Sequence, residues 1–175
     1  MAAILSAVSL PPVLPSPPRA APAIRKVEWF TSRDGAVPGS ALELGMRVTL
    51  QPGFHLNTHT PSQDFLIPTS LETEPLPGIT FAEWVYPEGE AKLFSFAEDP
   101  LQVYEGTILI RGRINIARDA APGRRRTMTR LRFQACTKDR CYPPGREEVA
   151  LEFHVVPLGH ATRPQHSDLF QEARP

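Results

Sequence analysis

A chain of 175 residues with 19 basic and 19 acidic side chains has no formal net charge, so it lacks the basic excess with which nucleic-acid binders hold a phosphate backbone. At this length one domain plus tails can bury a core large enough to fold without a disulfide. Its 20 prolines remove backbone donors and break helices, which excludes long helices and favours many short strands.

Residues 1–23 read as a signal-like or flexible Pro/Ala-rich leader. Ala2 to Leu10 is apolar like a secretory core, and Ala20-Ala21-Pro22-Ala23 offers small residues for cleavage, but no positive charge precedes them. No other run approaches the ~18 apolar residues of a membrane span. Residues 24–158 carry the folding pattern. A first strand is predicted over 24–32. Leu44, Met46, Val48 and Leu50 then alternate with smaller or polar residues, the period of a strand with one buried face. Gln51-Pro52-Gly53 turns the chain and 54–57 continues it. The short apolar run 65–69 contains Pro68 and suits an edge, and 79–86 is a further strand. Tyr104-Glu105-Gly106 reads as a turn into the clearest strand, in which Ile108, Ile110, Ile114 and Ile116 alternate with polar positions. Arg124-Arg125-Arg126 follows Pro122-Gly123 and reads as a solvated loop. Leu131, Phe133 and Ala135, then Val149, Leu151, Phe153 and Val155, mark two strands expected to pair antiparallel. Residues 159–175 are polar, without period, and read as a disordered tail. Many short strands separated by turn signals predict an all-β, immunoglobulin-like antiparallel β-sandwich. Trp29, Trp84 and Tyr86 are expected to pack within it.

The only two cysteines, Cys136 and Cys141, lie in the link between those last two strands. A thiolate is both the nucleophile of disulfide exchange and a metal ligand, and three readings stand. As a plain staple, so short a loop would contribute only about 2 kcal/mol. As an exchange pair, the sulfurs need Cα atoms within about 7 Å, which four intervening residues on a hairpin allow. The spacing is not that of a C-x-x-C motif. As metal ligands, the cysteines would join His55 and His59 in a Cys2His2-like set, although Thr60-Pro61 argues against a regular strand there. A milder role for His55 is to sit near the sulfurs and, when protonated, to lower a thiol pKa. Lys138 and Arg140 favour thiolates, Asp139 opposes them, and Tyr142 is placed to cover the second sulfur. No Gly-rich phosphate loop or nucleophile elbow is present, and no cofactor is implied.

Several fragments, in order, resemble one family. They are Gly53-Phe54-His55-Leu56 with Pro61, Ile67-Pro68-Thr69, Tyr86-Pro87 and Val103-Tyr104-Glu105-Gly106. The most specific is Gln134-Ala135-Cys136-Thr137-Lys138-Asp139-Arg140-Cys141-Tyr142-Pro143-Pro144. Residues 44–156 thereby resemble the N-terminal periplasmic domain of the thiol:disulfide interchange protein DsbD. The resemblance implies an immunoglobulin-like domain in the periplasm and an activity of the protein-disulfide reductase type. Its Cys136–Cys141 pair would pass electrons from a membrane-embedded thiol reductase, acting in trans, to periplasmic thioredoxin-like proteins, including those of cytochrome c maturation. It implies that Cys141 forms the mixed disulfide and Cys136 resolves it. It also implies a cap loop near Lys92-Leu93-Phe94-Ser95-Phe96, with Phe94 or Phe96 over the sulfurs. Two departures stand out. The cap has no acid before Glu98, and His55 and Asn57 occupy positions where aromatic residues line the site in that family.

Overall fold

The computed structural model describes residues 22–170, so the predicted leader lies almost wholly outside the described residues. In chain order the strands are β1 (Ile24–Thr31), β2 (Ala41–Leu50), β3 (His55–Asn57), β4 (Ser70–Thr73), β5 (Ile79–Phe81) and β6 (Glu90–Lys92). They continue with β7 (Leu101–Glu105), β8 (Thr107–Ile116), β9 (Gly123–Phe133), β10 (Ala135–Cys136) and β11 (Gly145–Val155), and a four-residue helix α1 (Ser167–Phe170) follows. The strands form a sheet β1-β2-β8-β5, a second sheet β10-β3-β7-β6 and a third, β11-β9-β4. Neighbouring strands pair antiparallel throughout. Only Gln134 separates β9 of the third sheet from β10 of the second. The first sheet packs against both, which makes the predicted immunoglobulin-like β-sandwich.

Alternation along the strands supplies the core. Leu42, Leu44, Met46, Val48 and Leu50 of β2 are buried, as are Ile108, Ile110, Ile114 and Ile116 of β8. Against them lie Leu56, Tyr104, Leu131, Phe133 and Ala135 at one end of the sandwich and Leu151, Phe153 and Val155 at the other. Gly112 interrupts the isoleucine row because Trp84 lies there: a Cβ at 112 would come within 2.1 Å of the indole ring. Trp29 packs on Trp84 with ring centroids 5.6 Å apart and donates from Nε1 to Thr129 Oγ1 at 3.3 Å.

Several local expectations change, and of the strand expected over 79–86 only Ile79–Phe81 forms one, as β5. The arginine run predicted in a loop begins β9, where Arg124 and Arg126 pair with Glu152 on β11; exposed cross-strand ion pairs are compatible with a strand whose other face is buried. Tyr104 and Glu105 belong to β7, and only Gly106 (φ 65°) makes the turn. Residues 65–69 precede β4 rather than forming a strand. Residues 159–170 are not free either. Arg163 N–H donates to Asp34 Oδ1 at 2.8 Å, Gln165 N–H to the Ser32 carbonyl at 2.9 Å, and Phe170 packs over Gly45. A polar composition did not reveal these anchors because their partners lie in and after β1.

Candidate functional site: a disulfide hairpin on the outer face of a sheet

After β10 the chain turns back at once. Thr137 N–H donates to the Arg140 carbonyl and Tyr142 N–H to the Ala135 carbonyl, both at 2.8 Å. Between these bonds Cys136 and Cys141 form a non-hydrogen-bonded pair, the closer of the two antiparallel spacings. Their Cα atoms are 4.0 Å apart and their sulfurs are bonded.

Register fixes what surrounds the sulfurs. Cys136 lies opposite His55, His55 opposite Glu105, Asn57 opposite Val103, and Leu101 opposite Lys92. Directly opposed residues project to the same face, and neighbours along a strand project to opposite faces. One face therefore carries Gln134, Cys136, His55, Asn57, Glu105 and Lys92. The other presents Ala135, Leu56 and Tyr104 to the sandwich core.

The outer face is covered by residues 93–97. Phe94 is 5% exposed and its ring centroid lies 5.1 Å from that of His55; Phe96 stacks on Phe94 at 5.2 Å. Leu66, Leu101, Val103 and Ala97 complete a small apolar cluster separate from the main core. Ser95 Oγ donates to the Lys138 carbonyl at 3.1 Å, which ties the cover to the cysteine hairpin. Beside it Gln134 acts as a clamp. Its Oε1 accepts from Asn57 Nδ2 (3.1 Å) and Ile67 N–H (3.3 Å), and its Nε2 donates to the Tyr142 carbonyl (3.2 Å).

The two sulfurs differ in access. Cys136 is 3% exposed. Cys141 is half-buried and opens on a groove of about 660 Å³ lined by Phe65, Leu66, Phe96, Leu101 and Arg140, with Glu98, Asp99 and Asp139 also on its walls. Phe65 is 76% exposed and Phe96 42%, so the groove offers apolar surface to solvent. His55 is buried, and burial, followed by the positive charge of Lys92, lowers its pKa below 6.5. Lys92 is ion-paired with Glu105, and with Glu90 at 3.9 Å. His55 Nδ1 and Asn57 Oδ1 are both buried without a hydrogen-bond partner.

Of the residues singled out from sequence, Cys136, Cys141, His55, Asn57 and Phe94 meet on this face, and Phe96 borders the groove. Phe94 packs on the imidazole, and Phe96 stacks on Phe94. Tyr142 departs: alternation turns it to the side of Ala135, where it packs on Phe54 at 5.8 Å and beneath the Arg140 guanidinium at 5.0 Å. His59 also departs. Its ring stacks on Tyr86 at 3.8 Å and its Nδ1 bonds the Thr69 carbonyl at 3.0 Å. Among the described residues no three His, Cys, Asp or Glu side chains are grouped as a metal site. Gln134 and Glu105 were not anticipated as site residues, and Lys92, expected at the start of the cap, lies in β6. For Gln134 the signal was available, since it lies two positions before Cys136 in an alternating run.

The family model for the N-terminal domain of the thiol:disulfide interchange protein DsbD matches residues 28–152. The chain belongs to the DsbD N-terminal domain family. Among solved structures it is similar to the reduced DsbD N-terminal domain of Neisseria meningitidis, with 17% identity and a TM-score of 0.46 over 76% of this chain and 90% of that one. It is also similar to the N-terminal periplasmic domain of ScsB from Proteus mirabilis, with 11% identity and a TM-score of 0.50 over 84% of this chain and 51% of that one. A third is the complex of the DsbD and PilB N-terminal domains of Neisseria meningitidis, with 18% identity and a TM-score of 0.37 over 78% of this chain and 88% of that one. No curated protein matches the chain. Among the described residues no helix is long and apolar enough to cross a membrane.

Proposed function

We propose that this DsbD N-terminal-type domain is a periplasmic electron carrier that works by thiol–disulfide exchange through Cys136 and Cys141. The observation that carries the reading is the inequality of the two cysteines: Cys136 buried, Cys141 half-buried on the wall of a groove beside exposed phenylalanines. An exchange pair needs one sulfur that a partner can reach and a second that only the first can reach, whereas a staple needs neither property.

In the dithiol form the Cys141 thiolate attacks the disulfide of an oxidised thioredoxin-like protein, and one partner sulfur leaves as a thiolate. Cys136 then attacks Cys141 Sγ, the bond from Cys141 to the partner breaks, and the second partner sulfur leaves. Two electrons and two protons pass to the partner, and the Cys136–Cys141 disulfide seen in the structure is formed. A membrane-embedded dithiol reductase returns the domain to the dithiol state by the same steps in reverse. Thioredoxin-like proteins serving cytochrome c maturation are within the scope of such a carrier.

The test is the reduction potential of the pair in graded thiol buffers, together with capture of a thioredoxin-like partner by Cys136→Ala. The expected results are a potential between about −270 and about −180 mV and a mixed disulfide at Cys141. A potential below about −300 mV, the range of structural disulfides, with no captured partner, refutes the reading.

A further inference from the structure

Resolution of the mixed disulfide requires Cys136 as a thiolate, yet Cys136 is almost fully buried, and burial disfavours the charged form of a thiol. A base near the sulfur removes this conflict, and the register of the sheet puts a histidine at the facing position. His55 is the register partner of Cys136 across β3 and β10, and opposed residues have Cβ atoms about 4.5–5.5 Å apart on one face. The ring lies under Phe94, and its Nδ1 has no hydrogen-bond partner. Two positions along the same face, Asn57 Oδ1 is in the same condition. Buried polar atoms are as a rule satisfied, so two bare acceptors flanking a disulfide call for an explanation. For His55 Nδ1, at the position facing Cys136, the dithiol state provides one, because Cys136 S–H is a donor that the disulfide lacks.

We propose that His55 accepts the proton of Cys136 as that sulfur resolves a mixed disulfide held at Cys141. The inference rests on the exchange reading above. The proton moves from Cys136 Sγ to the imidazole, leaving a thiolate and an imidazolium. The thiolate electron pair forms the Cys136–Cys141 bond, the bond from Cys141 to the partner breaks, and the partner sulfur departs with that pair. The imidazolium then returns its proton to the departing sulfur or to water.

The surroundings suit an acceptor. Glu105 on β7 is the other register partner of His55 and favours the transient imidazolium. Lys92 on β6, ion-paired with Glu105 and Glu90, opposes it and with burial holds the ring in its neutral form. The cover contributes the apolar Phe94, the link before β10 contributes the uncharged Gln134, and Lys138, Asp139 and Arg140 of the hairpin turn are exposed. The lowered pKa of His55 keeps the ring neutral, and therefore able to accept, at neutral pH.

The test uses the reduced chain mixed with dithiobis(nitrobenzoate), whose thiolate is coloured when released. The first release reports attack by Cys141 and the second reports resolution by Cys136. In the unsubstituted protein the second phase is expected to quicken with pH through an inflection below 6.5, where His55 becomes neutral. His55→Gln and His55→Phe are expected to leave the first phase within about twofold and to slow the second at least about tenfold, within the range of general-base effects. Their inflection is expected to move to about 8.5 or above, the range of an unassisted thiol. Two substitutions of different shape, with the first phase as a check on the fold, separate proton acceptance from packing. A second phase of unchanged rate and pH profile in both variants overturns the role of His55 and leaves the exchange reading intact. Absence of a first phase in the unsubstituted protein overturns both.

Discussion

Breaking the disulfide tests whether Cys136–Cys141 holds the domain together or rides on it. The cysteines are separated by five positions, and the entropy of closing so small a loop corresponds to about 2 kcal/mol of stabilisation. The hairpin has other restraints: the backbone bonds on either side of the pair, the Gln134 bond to the Tyr142 carbonyl, and Ala135 packed in the main core. None of these depends on the S–S bond. Urea unfolding of the oxidised and reduced chains at one pH is therefore expected to differ by about 2 kcal/mol, or about 4–8 °C in Tm for a chain of this size. By linkage the same difference puts the folded pair about 43 mV below the pair in the unfolded chain. Measuring both potentials closes the cycle independently. A loss above about 5 kcal/mol, or a reduced chain that no longer unfolds cooperatively, would mean that the pair is a structural staple and would refute the carrier argument.

Gln134→Ala leaves the Ile67 N–H and the Tyr142 carbonyl without their partner, while Asn57 Nδ2 keeps the Ile67 carbonyl at 3.0 Å. Ile67 is exposed and the Tyr142 carbonyl is half-buried, so at about 1–3 kcal/mol for a buried group left unsatisfied a loss of about 1–3 kcal/mol in urea unfolding is expected, with faster alkylation of Cys141 in the reduced protein. His55 has a pKa lowered in the folded state, so below 6.5 the unfolded chain binds a proton that the folded chain refuses. Stability should therefore fall as pH drops from 6.5 towards the folded value and then level off, and His55→Gln should flatten that slope in unfolding curves recorded across this range. Phe65→Asp removes an apolar side chain that is 76% exposed. It is expected to weaken a captured thioredoxin-like complex about tenfold or more without altering the reduction potential, and a titration of the complex decides.

Period-two alternation made the long strands legible, because Leu44 to Leu50 and Ile108 to Ile116 each bury one face against a core. The short strands β6 and β7 were not legible: Glu90–Lys92 has no apolar period of its own and gains its structure from pairing with Leu101–Val103. The cysteine pair was plain from composition, but its environment was not. The adjacency of His55 and Cys136 is a fact of register between strands far apart in sequence, which no local pattern encodes. The orientation of Tyr142 was misjudged because the hairpin is tight: one residue beyond Cys141 the side chain already points to the opposite face. The cover over the site was visible only through family resemblance, since Phe94 and Phe96 lie in a segment without period.

The sorting of residues by odd and even position in the second sheet has a consequence for how such a domain can diversify. Along β3, β7 and β10 every second residue belongs to the load of the sandwich, and those between belong to its chemistry. Residues 55, 57, 105 and 134 can be exchanged as a set around Cys136 while 56, 104 and 135 stay fixed. The redox chemistry is thus written on the back of a structural wall, and a different proton acceptor or a different potential can be installed from outside without reopening the interior.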